Sequence, residues 1–197
     1  MSSLILGSAS PRRAELLAQL GIDFEQRAAD IDESPREVEA PMDYVMRMAR
    51  EKTAALREAG IGKTLLTADT TVIADGRSLG KPVDFAEARA MLRCLSGRVH
   101  EVCTAFCCST AVDQREGRAV TRVEFMPLDD ELIEAYLATA EPWDKAGAYA
   151  LQGLAGSFVR RIEGSVSNVI GLPLVEIRAH LSDLGMSVGL ASRPGRT

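Results

Sequence analysis

Leu4-Ile5-Leu6-Gly7-Ser8-Ala9-Ser10-Pro11-Arg12-Arg13-Ala14-Glu15-Leu16-Leu17-Ala18-Gln19-Leu20 passes from an apolar run to an amphipathic one across a short polar break. Leu4 to Gly7 predicts a strand, and Arg12 to Leu20 predicts a helix whose apolar stripe is Leu16, Leu17 and Leu20. Between them Ser10 is a good N-cap and Pro11 a good first helical residue, so the helix starts immediately after the strand. That end of a helix is the positive pole of its dipole, where acidic residues are preferred and Arg12 and Arg13 are mildly unfavourable. An anion docked against the backbone N–H groups, the Ser8 and Ser10 hydroxyls and the two guanidinium forks resolves the conflict. The alternative is a solvent-facing pair balanced by Glu15 and Asp23.

The same strand-then-helix alternation continues outward from this stretch, which argues for an α/β domain. Ile22 to Arg27 reads as a second strand, and Met42 to Ala59 as a helix with Val45, Met48, Ala49 and Leu56 on one face. Thr64 to Ala74 reads as a strand, Asp75-Gly76 as a hairpin turn, and Ser78 and Leu79 as its returning arm. Phe85 to Leu95 is the next helix. Val99 to Ala111 and Ala119 to Met126 read as long strands separated by a polar turn, Asp113 to Arg118. Asp129 to Leu137 is helical after acidic residues suited to a helix start, Phe158 to Ile162 is a strand, and Leu172 to Leu184 is the closing helix, with Leu174, Val175, Arg178 and Leu181 along its length. One domain over 1–187 is expected, with a flexible tail over 188–197.

The 197 residues, 46% hydrophobic and 26% charged, are enough to bury a substantial core without a staple. A net charge of -5 offers no general footprint for a polynucleotide or an anionic membrane, so any phosphate must be gathered locally. Cys94, Cys103, Cys107 and Cys108 lack the paired spacing of a zinc site and read as buried thiols. The N-terminus lacks the pattern of a signal peptide, and no apolar stretch approaches the ~20 residues of a membrane span, so cytoplasmic residence is the expectation.

Three further positions break the local rules. Lys52 falls on the apolar stripe begun by Val45 and Met48; it either lies at the stripe's edge with its ammonium in water, as lysines ordinarily do, or is aimed into a cleft. Asp69 interrupts Leu65-Leu66-Thr67-Ala68-Asp69-Thr70-Thr71-Val72-Ile73, where a carboxylate is disfavoured and, if buried, needs a cation or several donors. Gln152 lies among small residues, Gly147 to Gly156, that let backbone approach a flat ligand; its amide could pair with a base edge or be satisfied by its neighbours. Asp30, Asp32 and Glu33 form an acidic cluster after the second strand, and Gly80-Lys81-Pro82 is a rigid turn presenting an ammonium; taken alone, both read as solvated surface.

Together these residues resemble the Maf proteins, nucleoside triphosphate pyrophosphatases also called septum formation inhibitors. The resemblance runs through nearly the whole chain: Ser8-Ala9-Ser10-Pro11-Arg12-Arg13, Asp32-Glu33, Ala49-Arg50-Glu51-Lys52, Ala68-Asp69-Thr70, Gly80-Lys81-Pro82, Leu95-Ser96-Gly97, Asp144 to Tyr149, Gln152-Gly153 and Gly171 to Leu174. It implies a mixed, elongated sheet flanked by helices, with a nucleotide cleft between two lobes as in the inosine triphosphatase group. It also implies a homodimer, Mg or Mn dependence, and Asp69 as proton acceptor. The family's dTTP- and UTP-hydrolysing branch is similar at Arg12, Thr70 and Gln152; the 7-methyl-GTP branch has a Trp in place of the first and a Gln in place of the second.

The implied reaction is attack of water on the α-phosphorus, releasing the monophosphate and pyrophosphate. Asp69 and Glu33 would hold a divalent metal, whose preferred ligands are hard oxygens. Lys52, Lys81, Arg12 and Arg13 would bind phosphate oxygens, and Arg12 and Gln152 the base or sugar end. A non-hydrolysing nucleotide sensor acting on cell division, and a pyrophosphatase for a modified purine triphosphate, are the rival functions.

Overall fold

The computed structural model describes residues 3–189. Its centre is a seven-stranded mixed sheet in the order β2-β1-β3-β5-β6-β7, with β4 also paired to β3. β1 (Leu4–Gly7) runs parallel to β2 (Phe24–Gln26) and β3 (Thr64–Ala74), and the remaining pairs, through β4 (Arg77–Leu79), β5 (Val99–Ser109), β6 (Gln114–Phe125) and β7 (Val159–Glu163), are antiparallel. β3 is buried on both faces along nearly its whole length, which explains its continuous apolar and β-branched character.

Helices cover both faces, as the resemblance led us to expect. On one face lies α2 (Pro41–Ala55), whose Val45 and Ala49 pack against Ile73, Cys103, Ala105 and Cys107. The other face carries two separate clusters. Leu66, Ala68 and Phe106 pack with α1 (Pro11–Ala18) and α6 (Leu174–Asp183) at one end of the sheet. Val72, Val102 and Phe125 pack with α3 (Phe85–Leu95) and α4 (Asp130–Leu137) at the other. These are two lobes on one continuous sheet, and Thr70 lies between Ala68 of the first cluster and Val72 of the second.

Several expected boundaries move. β6 begins at Gln114 rather than Ala119, so the polar stretch read as a turn is strand, and the connection shrinks to Thr110–Asp113. The polar residues are tolerated because they pair backbone with β5 at its rim, where Arg50 of α2 meets Glu116 at 2.6 Å. The closing helix starts at Leu174, after Pro173, and buries Ile177 and Leu181 while Val175 and Arg178 face solvent. A short helix, α5 (Val166–Ile170), capped by Ser165, and three 3-10 turns between Pro142 and Phe158 had no periodicity to announce them. Met186 is buried and Val188 packs against the first lobe, so the described chain stays docked there; residues 190–197 of the expected tail lie outside the described residues.

Cys103, Cys107 and Cys108 are buried and free as expected, whereas Cys94, also free, is only half-buried on α3. His100 is 3% exposed, with Nε2 2.9 Å from the Tyr149 hydroxyl and Nδ1 without a partner among the described residues. Burial pushes its pKa down from 6.5 to about 4, so as pH falls below 6.5 the unfolded chain binds a proton that the folded chain refuses. Stability is therefore expected to drop progressively between pH 6.5 and about 4, by about 3 kcal/mol in total. Urea midpoints across that window should flatten in His100→Gln; an unchanged slope would show that other groups set the acid limit.

Candidate active site

The cleft follows from a gap in the sheet. β1 pairs with β3 only as far as Thr67, and β4 joins β3 only from Val72 onward, while β5 runs unbroken along the opposite edge. Ala68 to Thr71 therefore have a neighbouring strand on one side only. β1 points into this gap from one end, delivering the Ser8-to-Arg13 turn, and β4 points into it from the other, delivering Gly80-Lys81. The resulting cleft of about 600 Å³ is lined by Ser8, Ser10, Arg12, Arg13, Glu33, Lys52, Asp69, Thr70, Lys81 and Gln152, together with small residues of the second lobe. That volume lies in the usual range for a small-molecule site.

Because side chains alternate along a strand, Asp69 points to the α2 face and Thr70 to the opposite one. The ammonium of Lys52 lies 2.7 Å from Asp69 Oδ1 and 2.8 Å from Glu33 Oε1. Lys52 is 7% exposed and Asp69 8%, so the lysine is aimed into the cleft rather than run out to water. Two carboxylates compensate its burial, which an isolated lysine on an apolar stripe would lack. Burial opposes ionisation of Glu33, but the hydrogen bond and charge of Lys52, then the charges of Lys81 and Arg13, hold its carboxyl below the usual range.

On the Thr70 side, Arg13 donates from Nε to the Gly171 carbonyl at 2.8 Å, from Nη2 to the Thr70 hydroxyl at 3.0 Å and from Nη1 to the Ser8 hydroxyl at 3.3 Å. Burial lowers its pKa and nearby Asp69 raises it, yet a guanidinium stays charged. Ser10 caps α1, accepting from the Arg13 N–H at 3.4 Å, and the first turn holds no acid. Arg12 reaches across the cleft mouth to Asp144 of the second lobe at 3.4 Å, an exposed pair of little energetic weight. Among the described residues neither arginine pairs with Glu15 or Asp23, so the solvent-balanced alternative does not hold.

Lys81 is exposed in a turn pinned by the Gly147 N–H, which donates to the Gly80 carbonyl at 3.0 Å. Gln152 sits exposed on the far wall. Its loop is fixed by Glu141, whose carboxylate accepts from the Leu154 N–H at 2.7 Å, the Ala155 N–H at 3.1 Å and the Tyr136 hydroxyl at 3.0 Å. A Cβ at Gly153 would run into the Glu141 carboxylate that staples the loop, so a larger residue beside Gln152 would have to displace that carboxylate. Of the acidic cluster only Glu33 enters the cleft; Asp32 instead accepts from the Ser34 N–H at 2.9 Å.

Among the cleft residues given no role by the sequence, four stand out. Tyr44 donates to the Glu33 carbonyl at 2.9 Å, and burial, with Asp69 and Glu33 nearby, pushes its hydroxyl up to about 12. Lys145 pairs with Asp144, and Tyr149 lies behind them against His100. The charged pair stands out between Trp143 and the run Ala146-Gly147-Ala148, a signal that could have singled it out. Gly147 and Ala148 both have positive φ, 69° and 60°, and Val72 leaves no room for a Cβ at Gly147. A non-glycine residue in that conformation is uncommon away from binding walls and turns.

No group of three or more His, Cys, Asp or Glu able to hold a metal is found among the described residues. Asp69 and Glu33 nevertheless converge on one cation, the Lys52 ammonium. Two carboxylates suffice for a hard divalent ion that draws its other ligands from substrate phosphates and water.

Residues 3–184 match the family described as Maf-like protein. The dTTP/UTP pyrophosphatase of Hahella chejuensis is 50% identical over 188 residues, covering 94% of each chain. That of Geobacter metallireducens is 48% identical over 188 residues, 93% of this chain and 97% of its own. Among solved structures, the Ham1 protein of Staphylococcus aureus aligns with a TM-score of 0.53 at 13% identity, over 93% of this chain and all of the other. A HAM1 protein from Coxiella burnetii aligns equally well, at 16% identity, and both likenesses speak for the fold alone. With matching blocks spread from the first strand to the closing helix, this chain belongs to the Maf-like protein family.

Proposed function

We propose that this protein hydrolyses dTTP and UTP to the monophosphate and pyrophosphate in the cleft around Asp69. The observation that carries the reading is a buried carboxylate in a strand gap, ringed by Lys52, Lys81, Arg12 and Arg13 in a protein of net charge -5. Phosphate attraction is thus confined to a cleft sized for one nucleotide. Relatives near 50% identity, named dTTP/UTP pyrophosphatases, supply the substrate class.

In this mechanism Asp69 accepts the proton of a water that attacks the α-phosphorus; the new P–O bond forms as the bond to the α,β-bridging oxygen breaks, and pyrophosphate leaves. Lys52 orients Asp69 through its 2.7 Å hydrogen bond, and with Lys81 and Arg13 takes up charge developing on the leaving oxygens. The N–H groups and hydroxyls of the Ser8–Ser10 turn cradle a phosphate. Arg12, Thr70 and Gln152 meet the base and sugar. Asp69 and Glu33 would hold a Mg or Mn ion, which polarises water and screens the triphosphate. A homodimer is part of the proposal on family membership, and cytoplasmic residence fits a substrate drawn from the free nucleotide pool. Among the described residues no helix is long and apolar enough to cross a membrane.

The test is pyrophosphate release across canonical and modified triphosphates with magnesium. Turnover of dTTP and UTP well above that of purine triphosphates is expected, with the preference altered in Arg12→Trp and Gln152→Ala. Binding without release would favour a nucleotide sensor, and preference for 7-methyl-GTP would move the chain to the purine branch.

A further inference from the structure

Glu33 reaches the cleft from residues 27–40, a stretch with no helix or strand and mostly exposed side chains. Such a loop buries too little apolar surface to hold a carboxylate in place by packing. Its fixed points are polar: the Tyr44 hydroxyl of α2 holds the Glu33 carbonyl at 2.9 Å, and most of the others lead to a second side chain on α2. Arg47 donates from Nε and Nη2 to the two oxygens of Glu39 at 2.6 and 2.7 Å, from Nη2 also to the Ser34 carbonyl at 3.1 Å, and from Nη1 to Glu51 at 3.3 Å. Glu51 in turn accepts from Arg36 at 3.0 Å, and Glu39 from the Arg36 N–H at 3.1 Å.

Arg47 and Glu39 are unusually sheltered for such a loop, with side chains 13% and 10% exposed. Between Arg36 and Glu39, Val38 stands fully exposed at a φ of 57°, a conformation a β-branched residue adopts only when its surroundings dictate it. The hydrogen bonds of Arg47 hold the Glu39 carboxyl down at about 2, well below the usual carboxylate range, so the clamp is charged at neutral pH.

We propose that Arg47 is a positioning residue for Glu33: its fork on Glu39 and its bond to the Ser34 carbonyl, beside Glu33, set the loop so that the Glu33 carboxylate meets Lys52 and Asp69. The proposal rests on the role given above to Glu33 and adds the group that holds it. Arg47 touches neither Asp69 nor the cleft, so its effect on the reaction must pass through the loop.

The test is a double-mutant cycle on the full chain: wild type, Glu33→Gln, Arg47→Met and the pair. Each is read by kcat/KM for UTP and by magnesium affinity, from calorimetry with α,β-methylene UTP bound. Arg47→Met is expected to lower both by ~10- to 100-fold, the usual cost of losing a group that orients a metal ligand. In the Glu33→Gln background the same change should matter by less than about twofold, since the two act as one unit. Additive losses, or wild-type magnesium affinity in Arg47→Met, would overturn the proposal. No effect of Glu33→Gln on either readout would remove the role of Glu33 instead. If Arg47→Met does not fold, Arg47→Lys, which retains the charge but not the fork, replaces it with the same expectation; full activity in that variant would equally overturn the fork.

Discussion

Asp69→Asn is expected to leave a folded protein whose hydrolysis of dTTP and UTP falls by about 10³-fold, the scale of a lost general base. The amide is the same shape as the carboxylate, and its oxygen still accepts the hydrogen bond that Lys52 makes at 2.7 Å. Lys52 also keeps Glu33 at 2.8 Å, so its charge is not stranded. What disappears is the negative charge and the capacity to take a proton at the sheet gap. Steady-state kinetics beside a thermal melt checks this, and near-normal turnover in a stable variant would take Asp69 out of the chemistry.

Lys52→Met is the second large effect, and it separates the charge balance of the site from its catalysis. Removing one partner of a buried ion pair leaves the other desolvated, at a cost of about 3 kcal/mol, lessened here because Glu33 is half-exposed. Turnover should drop by ~10²-fold or more with the loss of a cation beside the triphosphate. With Lys52 gone, Asp69 and Glu33 are two facing carboxylates balanced only by the more distant charges of Arg13 and Lys81. Millimolar magnesium should then raise the urea midpoint of the variant much more than that of wild type. Stability equal to wild type, or indifference to magnesium, would mean that the two carboxylates are not coupled through Lys52.

The parts of this arrangement that announce themselves in the sequence are those where a residue violates its local setting. Asp69 in an apolar strand, Lys52 on an apolar stripe and two arginines at a helix N-terminus each stood out, with the lysine also readable as running to water and the arginines as a solvent-facing pair, and the structure brings all three to one cleft. Two long elements, Thr64–Ala74 and Phe85–Leu95, were readable to the residue, whereas the helix expected to Ala59 ends at Ala55 and the strand expected to Ala111 ends at Ser109. The N-terminal end of β6 was not, because its charged side chains look like a turn until β5 is seen to pair with them. The gap between β1 and β4 was also hidden, since it depends on registers that no single segment encodes. Between Pro142 and Phe158, positive φ angles at Gly147 and Ala148 and the Glu141 staple replace periodicity, so the wall carrying Lys145 and Gln152 offered only local signals, a charged pair beside small residues and a lone amide among glycines. Nothing in the sequence marked Tyr44 and Arg47, and only the fold shows that they grip the Glu33 loop.

The claim on which the rest depends is that the cleft directs water at the α-phosphorus of a pyrimidine triphosphate. Hydrolysis of UTP by the wild-type protein in ¹⁸O-labelled water, with mass analysis of both products, tests it most directly. One labelled oxygen in UMP and none in pyrophosphate is the predicted outcome. Label in pyrophosphate, or orthophosphate in place of pyrophosphate, would contradict the account.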